Sequence, residues 1–497
     1  MIAKLATIFG VYLLLSLFTF VPPLLAYLIC KRSGVSLRFS ILVPLGIQIF
    51  LLISVGYVVL APGGLTPDSE FVLRKAVSGR WSDLHPHGLT MLFKIISTAQ
   101  MGPSGALLVF LSLIAGGTVL ILSRGLTQNG VIILALISSV FFFPGTFTLF
   151  GMIWKNIFHL GIYMLAVGFC AVFLFNSNKA FRVVGILACT LLLGFGVLVS
   201  LNAPAAAVPI ALLLFLPWES SHVKAYVKQT IAVLFMCLAL GLSLILGHRA
   251  LSDEHIFVFA SMQRHELAYL SAKTGTDMIG DAPWATGIDW EWTQSTYLAV
   301  PSYDYGSSQY VALMRRLRDP WLSGNNEQHR RWTIEITEKW NSAILKTPFL
   351  YLRLKAMNFC GFLGIFSKPE GGAGFQENFY NSESYNFHLK QSDIARWFFE
   401  NYVQPTQNSV FCSVWIYFFL GIASLVKALQ AKHSLEAYCC IALIASGLLM
   451  QLSFGLLVAH YEYRWSHYFI FCIIIASAMS ISLSRGTYFR STQKSVL

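Results

Sequence analysis

Three carboxylates and two imidazoles lie within one short polar segment that is flanked by long apolar runs. They are Asp68, Glu70, Asp83, His85 and His87. Only six of the 23 Asp and Glu residues fall outside residues 249–408, and this segment holds three of those six. A carboxylate at the centre of a bilayer costs roughly 2.5–3.5 kcal/mol on insertion scales. Such a cluster beside a membrane therefore indicates a functional site, and it is the candidate for the chemistry.

The composition around this cluster is that of a protein which crosses a membrane many times. Hydrophobic residues make up 56% of the 497 residues and charged residues only 12%, against about 25% charged residues in soluble domains. Apolar runs recur along the chain at lengths close to the roughly 20 residues of a spanning helix. We predict an all-α polytopic membrane protein with about 11 transmembrane helices. The predicted spans are 5–30, 39–61, 104–123, 130–150, 158–176, 183–200, 204–217, 229–247, 409–428, 436–459 and 466–484.

Lys and Arg are divided unequally between the two predicted sides of the membrane. Thirteen of them fall on one side, in each of its short loops and in the C-terminal tail. The positive-inside rule makes that side cytoplasmic. The opposite, external side then receives the 62–103 loop, Lys155, the 249–408 segment and the 460–465 turn.

Three regions follow from this topology. Residues 1–248 form the first part of the membrane domain and include the external loop 62–103, and residues 409–497 form its second part with a cytoplasmic tail. Between predicted spans 8 and 9, residues 249–408 form a large external segment with 15 Lys and Arg against 17 Asp and Glu. We expect it to be helical and rich in loops. Its predicted helices are 255–272, 308–318, 327–346 and 348–364.

The first external loop is predicted to contain two short helices. Thr66 or Asp68 would cap a helix that runs to about Ser78. The second helix would start near Pro86, and its apolar residues follow i, i+3, i+4, i+7 spacing. These residues are Leu89, Leu92, Phe93 and Ile96. The spacing predicts an amphipathic helix that lies in the membrane interface.

Several other classes of protein are disfavoured by the sequence. The net charge of +12 follows mostly from the loop bias, and no nucleic-acid partner is expected. No aromatic-interleaved basic patch, zinc-ligand spacing, Walker loop or dinucleotide fingerprint occurs in the sequence. Only Cys360 of the nine cysteines falls in the large external segment, so a disulfide framework within that segment is excluded.

A set of short motifs occurs in order along the predicted external side. The motifs are Asp68 with Ala76 and Gly79 before Ser82-Asp83-Leu84-His85-Pro86, then Trp154-Lys155-Asn156, Gln263-Arg264-His265-Glu266-Leu267-Ala268, Trp340 with Pro348-Phe349-Leu350-Tyr351-Leu352, and Glu462-Tyr463-Arg464. Together they resemble the GT-C superfamily of integral-membrane glycosyltransferases, above all bacterial members with an S-D-x-H-P first loop and a W-K-D motif. Residues 275–330 match no part of this pattern.

The resemblance implies a multi-span helical bundle whose catalytic residues lie in the first external loop. The implied reaction moves a sugar from a polyprenyl-phosphate carrier to a glycan, lipid or protein acceptor. It would take place on the periplasmic face of the inner membrane. One position departs from the family pattern, because Asn156 stands where the W-K-D motif has an acid. A role for a carboxylate there, as a metal ligand or an acceptor anchor, is therefore lost or moved.

Transfer of a sugar needs a base for the acceptor hydroxyl and stabilisation of the departing phosphate. Asp68 is the base candidate, since its position matches the first-loop acid of the family, and its alternative role is a helix cap. Asp83 and His85 complete the catalytic candidates. They would hold the acceptor, bind a divalent cation such as Mg or Mn, or carry a proton. Their alternative role is an ordinary turn.

A lipid phosphate calls for cations at the membrane interface, where the planar fork of arginine suits phosphate oxygens. Arg464 and Lys155 each end an external turn next to a predicted span. The alternative for each cation is interfacial snorkelling, and the acids nearby could form local ion pairs instead. The remaining substrate-binding candidates are Glu70, Arg74, Arg80, His87, Asn156, Gln263, His460 and Glu462.

Two other functions remain open at this point. An O-antigen polymerase or ligase would also have many spans and one large periplasmic segment, and would use Arg and His in that segment. Here its candidates would be His265, His329, Arg330 and Arg331. A transporter or flippase is the third possibility. The sequence shows no inverted repeat and few charges within the predicted spans, which disfavours that class.

Overall fold

Helices make up nearly all of the regular structure that the computed structural model of this protein describes. The described residues are 2–33, 36–123, 126–173, 178–214, 241–242, 249–280, 282–285, 324–363, 381–382, 387–388, 392–407, 409–431, 435–457 and 463–483. In chain order the helices are α1 (Ile2–Arg32), α2 (Leu37–Leu60), α3 (Pro67–Ser78), α4 (His87–Thr98), α5 (Gly102–Ser123), α6 (Leu126–Phe141), α7 (Pro144–Phe150), α8 (Lys155–Phe173), α9 (Lys179–Val199), α10 (Ala203–Leu214), α11 (Val258–Thr274), α12 (Asn326–Lys346), α13 (Pro348–Leu363), α14 (Asp393–Phe398), α15 (Gln404–Gln407), α16 (Val414–Gln430), α17 (Leu435–Leu457) and α18 (Tyr463–Leu483).

Strands are confined to two short pairs within the described part of the chain. The strands β1 (Gly64–Leu65) and β2 (Met152–Ile153) are parallel. The strands β3 (Asn381–Ser382) and β4 (Phe387–His388) are antiparallel. A π-helical turn, Phe399–Val403, joins α14 to α15. Single 3-10 turns occupy Pro283–Ala285 and Val410–Cys412.

The prediction of an all-α protein with several membrane-spanning helices is confirmed at this level. Six described helices are long and apolar enough to cross a membrane, namely α1, α2, α5, α8, α9 and α17. Helices α10, α16 and α18 contain shorter apolar stretches. The predicted span 229–247 lies almost wholly outside the described residues. The count of 11 therefore stays a prediction.

The predicted single span 130–150 is bent in the structure. Its two halves, α6 and α7, meet at an angle of 59°. The bend falls where Phe143 precedes Pro144, the first residue of α7. Proline has no N–H to donate to the preceding turn and disfavours helical backbone in the residue before it. The Phe143-Pro144 pair is therefore the local cause of the break.

Helix α8 lies at the centre of the bundle, and its most apolar window is 78% buried, against 17% for α1. Glycines let α5 and α8 approach closely. A Cβ added to Gly117 would lie 2.6 Å from the carbonyl carbon of Met164, and one added to Gly161 would lie 2.8 Å from Cβ of Leu113. Small residues are the usual means of close helix packing in membranes. This seam fixes the position of α8 and hence of Lys155 at its N-terminal end.

Both predicted helices of the first external loop form, but one packs differently from the prediction. Helix α4 buries Leu89, Phe93 and Ile96 and packs against α3, α5 and α9. Gly88 lies so close to α9 that an added Cβ would be 2.5 Å from Val199 Cγ2. The apolar face of α4 therefore covers protein, and the prediction that it lies in the membrane interface is wrong.

The external segment has a small core of its own. Leu267 and Leu270 of α11 are buried there with Trp284, with Ile336 of α12 and with Leu354 of α13. Three of the predicted helices, 255–272, 327–346 and 348–364, correspond to α11, α12 and α13. The fourth, 308–318, lies outside the described residues.

Candidate functional site

Three of the predicted site residues meet at the end of the bundle that the sequence predicts to be external. Asp68 is the second residue of α3, His85 lies in the turn before α4, and Lys155 is the first residue of α8. The Lys155 Nζ atom lies 3.1 Å from His85 Nδ1, and His85 Nε2 lies 4.0 Å from Asp68 Oδ1. The Asp68 side chain is 45% exposed and the His85 side chain 11% exposed. We refer to these three residues as the Asp68–His85–Lys155 array.

The chemistry of lysine fixes the tautomer of His85 within this array. A lysine ammonium has donors only, so Nδ1 of a neutral His85 accepts and the ring proton is on Nε2. Nε2 lies 4.0 Å from Asp68 Oδ1, which is longer than a hydrogen bond. The ring of Phe71 lies edge-on to the imidazole, with the ring centres 5.7 Å apart. One face of the array is therefore apolar and the carboxylate side is open.

Local structure explains why residues so far apart in sequence meet here. Thr66 caps α3 by accepting a hydrogen bond from Ser69 N at 3.1 Å, as the sequence allowed. The Ser69 hydroxyl in turn donates to the carbonyl oxygen of Ile153. Together with the β1–β2 pair, these contacts place the N-termini of α3 and α8 side by side. Both helix dipoles contribute partial positive charge at that point.

Asp83 occupies a different environment, in which its carboxylate is 7% exposed. Its Oδ1 atom accepts from Ile256 N at 2.5 Å and from Phe257 N at 3.3 Å. Its Oδ2 atom lies 3.4 Å from His255 Nδ1. Phe257 has a left-handed backbone with φ 55°, which a residue with a side chain adopts only when its surroundings hold it there. These contacts favour the alternative structural role for Asp83, that of anchoring the start of α11.

The backbone next to Asp83 joins the first loop to the external segment. The carbonyl oxygen of Trp81 accepts from the N–H groups of Asp253 and Glu254 at 2.9 and 3.0 Å. Lys75 pairs with the Glu254 carboxylate at 2.5 Å. An open groove of about 640 Å³ lies beside this junction. Its lining residues are Glu254, Ile256, Gly324, Asn325, Asn326, Glu327 and His329.

The remaining first-loop candidates lie around the array rather than within it. His87 is fully buried, and its Nε2 lies 3.0 Å from the Ser252 hydroxyl. Glu70 pairs with Arg74 across one helical turn at 3.4 Å, which is the local ion pair that the sequence left open. Arg74 and Arg80 are exposed.

The candidates beyond the first loop are more scattered. Asn156 is 2% exposed, and its Oδ1 has no hydrogen-bond partner among the described residues. Gln263 is also buried and accepts from the Thr337 hydroxyl at 3.2 Å. Arg464 lies in the first turn of α18, and its side chain is outside the description. His460 and Glu462 lie outside the described residues.

One buried ion pair had not been identified from the sequence. Glu266 of α11 accepts from Lys355 Nζ and, at 2.7 Å, from Trp340 Nε1. Burial raises the pKa of the Glu266 carboxyl, and the donors from Lys355, Trp340 and Tyr351 oppose that rise. Lys355 also donates to the carbonyl oxygen of Leu456, 2.6 Å away at the end of α17. The charges of Glu266 and Lys355 were visible in the sequence, but nothing in it indicated a pairing across 89 positions.

The residues of the alternative polymerase or ligase function are placed as follows. His265 is buried in α11, where burial, and secondarily Arg264, lower its pKa to about 3. His329 is buried in α12, and its Nδ1 lies 3.0 Å from the backbone oxygen of His255. Arg330 and Arg331 are exposed.

The described residues of the array offer few ligands for a divalent cation, and a bound Mg or Mn stays a prediction. No group of three His, Cys, Asp or Glu side chains converges among them. Mg and Mn favour several oxygen ligands, whereas the array offers the Asp68 carboxylate and one imidazole. The ammonium of Lys155, 3.1 Å from that imidazole, would also repel a second cation.

Comparison with known proteins gives no relative for this chain. It matches no protein-family model, no curated protein and no solved structure.

Proposed function

We propose that this chain is a membrane glycosyltransferase that moves a sugar from a polyprenyl-phosphate carrier to an acceptor hydroxyl. The observation that carries the proposal is the Asp68–His85–Lys155 array. It sets a half-exposed carboxylate and a lysine ammonium on opposite edges of one imidazole ring. A sugar phosphate would meet a base at one end and a cation at the other. The resemblance of the motifs to the GT-C superfamily supports the same reaction.

In this reaction the oxygen of the acceptor hydroxyl attacks the anomeric carbon of the sugar, and Asp68 takes the proton of that hydroxyl. The bond between that carbon and the phosphate oxygen breaks, and its electron pair leaves with the polyprenyl phosphate. His85 is a positioning residue, because its ring lies between Asp68 and Lys155 and contacts Phe71. A general base supplies about 10²–10⁴-fold in rate.

The departing phosphate gains negative charge during the reaction. Lys155 supplies a full positive charge at the N-terminus of α8, where the helix dipole adds partial charge of the same sign. A cation that meets the developing charge stabilises the transition state more than the ground state. Arg464, in the first turn of α18, is the second cation proposed for this phosphate.

The proposed site faces the periplasm, with the donor in the outer leaflet of the inner membrane. The Lys and Arg distribution supports this orientation. Contacts between the first loop and residues 253–257 support placing these two segments on one side, because segments in contact lie on the same side of a membrane.

The proposal can be tested with purified protein in lipid nanodiscs. Undecaprenyl-phosphate hexoses with a labelled sugar serve as donors, and a cell-envelope glycan and lipid extract serves as the acceptor mixture. Wild-type protein should move label to the acceptor fraction and release undecaprenyl phosphate. Asp68→Asn should reduce the rate by about 10²–10⁴-fold while the protein remains folded.

Glu338→Gln is the matched control, since it removes an exposed carboxylate of α12 and should keep the wild-type rate. Activity of Asp68→Asn within about tenfold of wild type, below the range for a lost base, would show that Asp68 is not the base. A second measurement isolates the phosphate site. Undecaprenyl phosphate alone should raise the Tm of wild-type protein and should raise the Tm of Lys155→Gln less.

A further inference from the structure

Helix α13 connects the two cores of the molecule. Its last residues, Phe362 and Leu363, are buried in the core of the membrane bundle, whereas Leu354 is buried in the core of the external segment. The helix therefore lies at the boundary between the bundle and the external segment.

The contacts between α13 and α17 define how the two helices cross. Lys355 reaches the carbonyl oxygen of Leu456, Phe359 packs on Gly455, and the rings of Phe362 and Phe454 lie 6.2 Å apart. The first and last α13 residues in these contacts are seven residues apart, or about 10 Å along the helix, at 1.5 Å per residue. Their partners in α17 are only two residues apart, or about 3 Å.

Because the contacts advance much farther along α13 than along α17, the axes of the two helices cross at a steep angle. Because α17 is one of the helices long and apolar enough to span the membrane, α13 lies across its external end, close to the plane of the bilayer surface. The residues that begin α13 are then at about the same height as the end of α17. Near that end, Leu452 and Leu456 are 41% and 59% exposed.

The exposed side of this helix is apolar and carries basic residues at its edge. Phe349 is 85% exposed, Leu352 is 61% exposed, and Leu345 at the end of α12 is 82% exposed. Lys346 and Arg353 are exposed beside them. An apolar stripe with Lys and Arg beside it is the pattern of helices that lie in a membrane interface with their cations at the lipid phosphates.

We propose that the apolar stripe Leu345–Phe349–Leu352 is inserted into the outer boundary of the lipid bilayer. The external segment thus contacts lipid through this stripe, in addition to its contacts with the first loop and with α17. Continuity with the exposed leucines of α17 and the flanking positive charge both favour lipid over a protein partner. The proposal is independent of the sugar-transfer reaction.

Photo-crosslinking of the full-length protein tests this placement. The photoreactive residue p-benzoyl-phenylalanine is placed at Phe349 in nanodiscs of phosphatidylethanolamine and phosphatidylglycerol, and adducts are identified by mass spectrometry after illumination. We expect lipid adducts comparable with those at a positive-control position, Leu452 on the exposed face of α17. The matched negative control is Arg331, which lies on α12 with a 76% exposed side chain and should give no lipid adduct.

Two outcomes would overturn the proposal. One is a crosslink from position 349 to a second copy of the chain or to another part of the same chain. The other is the absence of lipid adducts at 349 when position 452 gives them. A second variant provides an independent check: Phe349→Asp with Leu352→Asp should lower the Tm in nanodiscs more than in detergent. An unchanged Tm in nanodiscs would also contradict the lipid assignment.

Discussion

Two carboxylates of the first external loop each pair with an imidazole, and the surroundings of the two pairs differ sharply. In the pair of Asp68 and His85 the carboxylate is 45% exposed, whereas in the pair of Asp83 and His255 it is 7% exposed. Asp83 accepts from two backbone N–H groups, and its partner imidazole comes from the external segment. The first pair is open to a ligand, and the second fastens two parts of the chain together.

This difference shows that residue type and position in a motif do not assign a role. Asp83 and His85 stand two residues apart in the same S-D-x-H-P motif, yet their side chains contact different parts of the molecule. Asp83 contacts the start of α11, and His85 contacts Lys155. One carboxylate oxygen of Asp83 accepts from two backbone N–H groups, and the other lies 3.4 Å from His255 Nδ1, which favours a structural role. The contrast yields two predictions that separate an effect on activity from an effect on stability, and two further predictions concern stability alone.

Replacement of the two imidazoles should give the largest contrast. His85→Gln should lower the rate of sugar transfer by about 10²-fold, because the array loses the ring between Asp68 and Lys155. His255→Gln should keep the rate of the folded protein. The rate at which labelled sugar moves to the acceptor fraction is measured for both variants, and their Tm values show whether they are folded. Equal loss of rate in the two variants would show that the two pairs do not differ in function.

Removal of the Asp83 carboxylate should mainly affect stability. Asp83→Ala leaves the N–H groups of Ile256 and Phe257 without their acceptor, and we expect a loss of about 2 kcal/mol. Asp253→Ala is the matched control, because its carboxylate accepts from Trp81 N at 2.8 Å on an exposed residue. Thermal unfolding of nanodisc samples compares the two variants. A smaller decrease in Tm for Asp83→Ala than for Asp253→Ala would refute the anchoring role.

Acidification should destabilise the external segment through His265. The pKa of this imidazole is lowered to about 3 in the folded protein, first by burial and then by Arg264, from about 6.5 in an unfolded chain. Between those values the unfolded state binds a proton that the folded state does not. Stability is thus fully present above pH 6.5 and falls with decreasing pH, by about 1.4 kcal/mol from pH 7.5 to 5.5.

The control for this pH effect is His265→Gln, which removes the titrating group. Its Tm should therefore change less than that of the wild type over the same pH interval. Parallel Tm profiles for the two proteins would mean that another group causes the acid sensitivity.

The smallest effect is expected for the ion pair of Glu70 and Arg74. The two side chains are 22% and 50% exposed, and exposed pairs one helical turn apart contribute about 0.3–0.5 kcal/mol. A double-mutant cycle with Glu70→Gln and Arg74→Gln, followed by thermal unfolding in low and high salt, measures the coupling. A coupling above about 1 kcal/mol, the upper end for exposed pairs, would mean that this pair is more than a local contact.

The sequence was sufficient for the all-α class and for several individual helices, because hydrophobicity and helix signals are local. It predicted α12 and α13 to within a residue or two, and Thr66 was one of its two candidate caps for α3. The prediction from sequence was wrong where packing against other helices determines what an apolar face contacts. The apolar face of α4 has the period of an interfacial helix, but α5 and α9 cover it, and periodicity alone cannot distinguish protein from lipid.

The candidate site was predictable only in part for the same reason. Asp68, His85 and Lys155 were identified by their charge beside apolar runs and by their motifs. Their grouping into one array depends on the β1–β2 pair, which is too short to leave an alternating pattern in the sequence. The contacts of Glu266 with Lys355 and of Asp83 with Ile256 join residues far apart in the chain. No local rule could have found either contact.

The two-residue β1–β2 pair also constrains how this protein can evolve. The rotational setting of α3 is fixed by the Thr66 cap and by the contact of Ser69 with Ile153. One inserted residue between Leu65 and Asp68 would turn the following positions by about 100° around the helix and carry the carboxylate away from His85. We therefore expect insertions and deletions to be absent from this stretch in homologues, even where the flanking side chains have diverged. The number of residues between Leu65 and Asp68 should then be conserved more strictly than the identities of those residues.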